Sequence, residues 1–254
     1  MGAKTKIEWS DASWNPCSGC LHGCEFCYAR RIANRFRPKD DAVVHPMVLD
    51  EPVRNADGKI EPYPNGFSPT FHRYRLDIPS KWTKPRNIFV CSMADLFGRW
   101  VPDEWITEVF KACVQPHRYL FLTKNPQRYW NLYEAGLMPE DRRNMWFGTT
   151  VTTDESPFFY IEGTHDDGKY HNGFLSIEPM LSDFEVSDLT FTGIKWVIIG
   201  AETGNRKGKV VPKKEWVDHL LESCDWSGIK VFMKDSMVPI VGEENMRREF
   251  PWED

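Results

Sequence analysis

Six apolar runs recur between residues 87 and 235, separated by segments of helical character, and this alternation leaves few architectures open. The runs are Asn87–Met93, Arg118–Lys124, Met145–Val151, Gly173–Pro179, Lys195–Glu202 and Lys230–Asp235. Each is an unbroken stretch of β-branched and aromatic residues, not an alternation of apolar and polar ones. That is the pattern of strands buried on both faces of a parallel sheet. Between them, Pro102–Val114 opens with a proline and acidic residues, which suits the positive end of a helix dipole. Asn125–Gly136 closes on a glycine cap, and Val211–Asp225 sets Trp216, Val217, Leu220, Leu221 and Cys224 on one helical face. Regular strand–helix–strand order implies right-handed βαβ units. A first strand near Glu8–Asn15 brings the count to about seven. Periodicity alone leaves two solutions, a complete or partial (β/α) barrel of the TIM type and an open doubly wound sheet.

The chain has 254 residues, room for one large domain or two small ones. A hydrophobic content of 41% against 27% charged residues supports a sizeable core and excludes wholesale disorder. No apolar run approaches the ~20 residues of a membrane span, and the first residues lack the apolar core of a signal peptide. A soluble, cytoplasmic protein is expected, in the host cytoplasm if it is phage-encoded, with no membrane partner. The formal charge of −5 argues against a general nucleic-acid coat but leaves room for a local basic groove. Seven cysteines, an odd number, speak for metal or redox chemistry and against a disulfide framework.

Four of the seven, Cys17, Cys20, Cys24 and Cys27, fall in the run C-S-G-C-L-H-G-C-E-F-C. Cys91, Cys113 and Cys224 lie among apolar neighbours and read as core. Pairing Cys17–Cys20 with Cys24–Cys27 around zinc leaves only three residues between the knuckles, against the ~12–20 usual for one ion. Iron–sulfur clusters do use short runs of thiolates on an irregular loop, because each iron needs its own sulfur. Iron–sulfur is the favoured reading, with zinc and no metal at all as the alternatives. Gly19 and Gly23 allow tight backbone, and helical character follows from Ala29 to Phe36.

The spacing Cys20-x3-Cys24-x2-Cys27, with Tyr28 directly after it, resembles the cluster loop of the radical S-adenosylmethionine (radical SAM) superfamily. The resemblance implies that Cys20, Cys24 and Cys27 hold a [4Fe–4S] cluster, whose open iron takes the amino and carboxylate groups of S-adenosylmethionine (SAM). Phe26 and Tyr28 then form an apolar lid over it, and Cys17 is an extra thiol without a firm role. Because radical SAM barrels carry this loop after their first strand, the resemblance also favours a complete or partial barrel. A single barrel domain over residues 1–254 is expected, with an insertion or lid at 38–86 and a tail at 237–254. The insertion holds eight prolines and the turn signals Asn55–Gly58 and Asn65–Gly66. Residues 154–172 form a second polar loop, and the tail a third irregular stretch.

In a parallel barrel the chemistry sits at the C-terminal ends of the strands, and here those ends are polar. They read S-M-A-D at 92–95, T-K at 123–124, G-T-T-V-T at 148–152, S-I-E-P at 176–179, G-A-E-T-G at 200–204 and K-D at 234–235. Together with I-E-W-S-D-A-S-W-N-P before the cysteines, these segments resemble a radical-SAM-like family common in bacteriophage genomes, over roughly residues 5–236. Members of that family often have a longer loop between the first two thiols. By that resemblance Ser92 and Asp95 bind the methionine amine, Lys124 the SAM carboxylate, and Thr150 with Ser176 or Glu178 the ribose. Glu202 faces the same mouth toward SAM or substrate. For Glu178 the structural alternative is a helix cap or an inter-strand ion pair; for Lys124 it is a salt bridge.

The reaction implied is reductive cleavage of SAM to a 5′-deoxyadenosyl radical that abstracts hydrogen from substrate, with an external one-electron donor of flavodoxin or ferredoxin type. Two basic stretches bear on the substrate. Arg73, Arg75, Lys81, Lys84 and Arg86 are interleaved with His72, Tyr74 and Trp82, and Arg206, Lys207, Lys209, Lys213 and Lys214 follow the sixth strand. Such mixtures suit phosphate contacts and base stacking, although charge runs are usually solvated faces. Modification or rearrangement of a nucleotide or DNA base, a phage-type hypermodified pyrimidine, is the expected task. The alternatives are a peptide or small metabolite as substrate, or a zinc-stabilised nucleic-acid-binding protein without catalysis.

Overall fold

The computed structural model describes residues 5–37, 47–153, 172–184 and 193–253. Each apolar run forms a strand. Internal contacts divide the chain into two compact units, Met1–Phe121 with Leu137–Glu140, and Leu122–Gly136 with Asp141–Asp254. In the first unit β1 (Ala12–Trp14), β5 (Asn87–Val90) and β6 (Arg118–Thr123), which runs on past the boundary, lie parallel in that order. In the second, β7 (Met145–Val151), β8 (Gly173–Ile177), β9 (Ile194–Ile199) and β10 (Lys230–Met233) do the same. A doubly wound sheet reverses its strand order at a switch point. Neither unit contains a reversal, so the mixed α/β architecture has the strand order of a partial (β/α) barrel. A complete barrel has eight strands; the described residues supply seven parallel ones.

Strand periodicity accounts for the core of the second unit. Leu175, Ile177, Val197, Ile199, Val231 and Met233 pack with Val217, Leu220 and Cys224 of helix α4 (Lys214–Ser227). Residues of the opposite parity point the other way. On that face Trp196 meets Phe174 at 5.8 Å and Phe232 at 6.3 Å between ring centroids. A Cβ on Gly148 would lie 2.4 Å from the Phe174 ring, so the absence of a side chain there makes room for the aromatic layer.

The tail is more ordered than its sequence suggests. After the short helix α5 (Val238–Val241) the chain turns back along the free edge of β10. Met233 N donates to Arg247 O at 2.8 Å and Glu249 N to Val231 O at 3.0 Å, an antiparallel bridge centred on Phe232 and Arg248. Phe250 and Trp252 add their rings to Trp196 at 5.7 and 5.1 Å, and the Trp196 indole donates to Glu249 O. Covering the last strand in this way satisfies backbone groups that an open edge would expose.

The first unit is built differently. Its helices are α1 (Tyr28–Phe36) and α2 (Asp103–Lys111), while α3 (Gln127–Glu134) follows β6 in the second unit. The described part of the proline-rich segment, 47–86, is not a bare loop. It contributes β3 (Val48–Leu49) and β4 (Thr70–His72), and β4 pairs in parallel with β3 and antiparallel with β2 (Cys17–Ser18). Residues 38–46 of the expected insertion, and 154–171 of the expected polar loop, lie outside the described residues.

The interior of this unit is markedly polar. Asn15, Ser18, Thr70, His72, Arg75 and Asp95 are all buried. The Arg75 guanidinium donates to Asn15 O at 3.0 Å, Pro62 O at 3.3 Å and the Tyr74 hydroxyl at 3.0 Å. Bonds to a charged donor are worth ~1.5–3 kcal/mol each, and leaving it unpaired would cost at least as much.

Candidate functional site

The cysteine loop leaves β1 through Asn15, whose buried Oδ1 accepts from Met93 N at 3.0 Å and from the Ser92 hydroxyl at 3.2 Å. Gly19 continues the attachment: its N–H donates to Met93 O at 2.9 Å and it bridges Ala94 in parallel. It sits at φ +87°, and a Cβ there would lie 2.2 Å from Ser68 O. Only glycine satisfies both conditions. Cys20 N then donates to Phe67 O, and Cys27 N closes a turn onto Cys24 O.

All three expected ligand thiols are free and half-buried. Cys27 caps α1, its sulfur accepting from Arg30 N at 3.4 Å, so the helix turns its positive end toward this thiol. Burial pushes the Cys20 thiol up to about 11; the His22 N–H opposes this, and the charges of Asp95, Cys24 and Cys27 add to it. Asp95, Cys24 and Cys27 therefore lie near enough to Cys20 for their charges to act on it. Among the described residues, no three His, Cys, Asp or Glu side chains converge as a single metal ion requires. The residues fit a cluster by donor chemistry: three neighbouring thiols, a helix N-terminus on one of them, and partial shielding from water.

Ser92 and Asp95 stand at the end of β5 beside this loop. Tyr28, expected as part of a lid, is exposed, and its hydroxyl donates to Ser92 O at 2.7 Å. Asp95, expected at the SAM amine, is buried and binds inside the protein: Oδ1 accepts from Phe97 N at 3.0 Å and Oδ2 meets His22 Nε2 at 2.7 Å. His22 was given no role from sequence. Its signal was its place between two of the expected ligand cysteines. Asn15 was likewise missed, since nothing local marks an asparagine that bonds residues more than seventy positions away.

The other thiols separate cleanly. Cys17 is buried near the buried Cys91, which holds a left-handed backbone at φ +59°. Burial pushes the Cys17 thiol well up. Cys113, just past the end of α2, donates to Val109 O of that helix, and Cys224 lies in the core of the second unit, its thiol pushed up to about 12 by burial.

In the second unit the strand register brings Thr150 and Ser176 side by side, and Lys234 follows β10 beside Gly200. Glu178, just past β8, forms an ion pair with Lys234. A Cβ on Gly200 would lie 3.1 Å from Lys234 Cδ and 3.2 Å from Glu178 Cγ, so the glycine gives this pair its space. The inter-strand ion pair foreseen for Glu178 is thus present, and Thr150, Ser176 and Glu178 share one end of one sheet. Glu202 lies apart on the loop after β9, buried, with both its oxygens taken by Arg206 at 2.7 and 2.8 Å. Lys124 is half-buried just past β6.

Most of the first basic stretch is paired within the chain, and Lys84 is exposed. Arg73 pairs with Glu108 and Asp50, Arg75 is buried, Lys81 pairs with Asp77, and Arg86 lies over the Trp82 ring. In the second stretch, Lys207 and Lys209 remain exposed on the loop that Glu202 anchors through Arg206.

Fold and site thus define a parallel α/β protein with a cysteine loop after its first strand. Over residues 4–241 the sequence matches DUF5131, described as a protein of unknown function, and the chain belongs to that family. No curated protein and no solved structure matches it. No helix among the described residues is long and apolar enough to cross a membrane.

Proposed function

We propose that the protein is a radical SAM enzyme that modifies a nucleotide or DNA base. The observation that carries this reading is that Cys20, Cys24 and Cys27 stand free and half-buried on one loop after β1, with the α1 N-terminus on Cys27. When bound, a [4Fe–4S] cluster and SAM supply a 5′-deoxyadenosyl radical that takes hydrogen from an unactivated carbon, the electron coming from a flavodoxin- or ferredoxin-type donor. The chain's own residues have simpler tasks. Cys20, Cys24 and Cys27 would each hold one iron, and Asn15, Gly19 and Tyr28 keep their loop on the end of β5. In the second unit Thr150, Ser176 and Glu178 offer hydroxyl and carboxylate groups suited to a ribose, with Lys234 fixing the carboxylate. Lys207 and Lys209 support a phosphate-bearing substrate.

Anaerobic reconstitution with iron and sulfide tests this reading. The expected result is a brown protein that releases 5′-deoxyadenosine from SAM under reduction. Cys24→Ala should abolish both iron uptake and cleavage, while Cys113→Ala leaves them intact. Zinc uptake without SAM cleavage would sink the proposal, and an essential Cys113 would overturn the ligand assignment. For the substrate, charge reversal at Lys207 and Lys209 should weaken DNA binding and flatten its salt dependence; unchanged binding would turn the choice toward a peptide or small metabolite.

A further inference from the structure

The cysteine loop carries a side chain that ligates nothing yet ties the loop to the neighbouring strand end. His22 lies two residues after Cys20 and two before Cys24. Its Nε2 meets Asp95 Oδ2 at 2.7 Å, with side-chain exposures of 22% and 8%, so water competes little for this contact. Asp95 is itself immobilised, because Phe97 N donates to its other oxygen at 3.0 Å. The imidazole also meets the Trp100 ring edge-on at 4.9 Å. Both sides of the contact are thus held by further bonds. Other attachments run through backbone groups, at Gly19 with Met93 and Cys20 with Phe67, and through the Tyr28 hydroxyl on Ser92 O. Those contacts lie at the two ends of the loop. Between Cys20 and Cys24, the His22–Asp95 pair supplies a side-chain tether.

We propose that His22 is a positioning residue: through Asp95 it holds the Cys20–Cys24 segment in the shape in which its thiols accept iron. This rests on the reading that the three thiols hold a cluster, and it adds a residue outside the ligand set. The physical reason is entropic. A loop that must order itself on binding loses the ordering cost from its affinity, whereas one already ordered does not. Groups that orient metal ligands without touching the metal typically change metal affinity ~10–100-fold when removed.

The test compares wild type with His22→Ala, Asp95→Ala and His22→Gln, whose amide can still donate to Asp95. In the metal-free proteins, amide hydrogen exchange is followed over residues 19–28 and over the rest of the chain. In the iron-reconstituted proteins, loss of visible absorbance to a chelator is timed and the electron paramagnetic resonance spectrum of the reduced state is recorded. Both alanine variants should quicken exchange in the loop alone, shorten iron retention on the order of 10-fold and broaden the spectrum. A variant combining His22→Ala with Asp95→Ala should be no worse than either single one, because both remove the same contact. His22→Gln should restore most of the retention. Loop exchange and iron retention unchanged in His22→Ala would overturn the proposal, as would faster exchange spread over the whole first unit. If wild type takes up no iron, the proposed function falls, while exchange in the metal-free loop still shows whether the tether exists.

Discussion

The two units position their polar groups differently. The second packs an apolar face of β8, β9 and β10 against α4, largely through Val, Ile, Leu and Met side chains, and buries Ser176 and Glu202 besides. The first buries Asn15, Ser18, Thr70, His72, Arg75 and Asp95, and wires them to distant backbone groups. In the second unit position is set by strand register: Thr150 lies beside Ser176 because β7 pairs with β8 in that register. In the first unit the cysteine loop inherits register only at Cys17 and Ser18, through the short β2–β4 pairing, so Asn15, Gly19 and His22 fasten the rest one bond at a time. A strand-built site follows from a periodic pattern, while a loop-built site depends on single residues. Single substitutions in the loop should therefore do more local damage than equal changes among the strands.

The sharpest way to break this comparison is a methyl group placed in each unit. Gly19→Ala combines a backbone conformation costing ~1–2 kcal/mol with a main-chain oxygen 2.2 Å from the new carbon. It should lower stability by more than ~3 kcal/mol, detach the loop from β5 and abolish iron uptake. Gly148→Ala meets the Phe174 ring at 2.4 Å, and the ring is boxed in by Trp196. A cost of ~1–3 kcal/mol is expected, with iron uptake retained. Chemical denaturation and iron content measure both. Equal losses of iron in the two variants would show that the loop is not specially dependent on its fastenings.

The same difference decides what could be read from sequence. The runs at 145–151, 173–179, 195–202 and 230–235 became β7 to β10 with their starts within a residue, because continuous β-branched and aromatic stretches have little else to do in a folded chain. The face of α4 was equally legible from the spacing of Val217, Leu220 and Cys224. Polar strand ends pointed to Thr150, Ser176 and Glu178, which do share one end of a sheet. The first unit resisted because its determinants are pairwise and remote. Nothing near Arg75 marks it as an interior group holding Asn15 O, and within its own segment it reads as part of a basic surface. His22 was visible in the cysteine run, but its partner Asp95 lies 73 residues away. The tail was missed for a similar reason: Phe250 and Trp252 acquire meaning only once Trp196 and the open edge of β10 are in place.

A smaller effect separates the units by their response to acid. His72 is fully buried in the first unit, its Nε2 2.8 Å from the Ser18 hydroxyl. Burial, aided by the Arg75 cation, pushes its pKa down to about 3. The unfolded chain binds this proton near pH 6.5, so between about pH 6.5 and 3 it carries more protons than the folded one. Stability from this group is therefore fully present above pH 6.5 and is lost as pH falls, by at most ~1.4 kcal/mol per unit. His72→Gln should flatten the acid dependence of amide exchange in the first unit between pH 6.5 and 4.5, at the cost of lower stability at neutral pH. The second unit should keep the same acid dependence in both proteins, and equal flattening of the two units would mean that they unfold together.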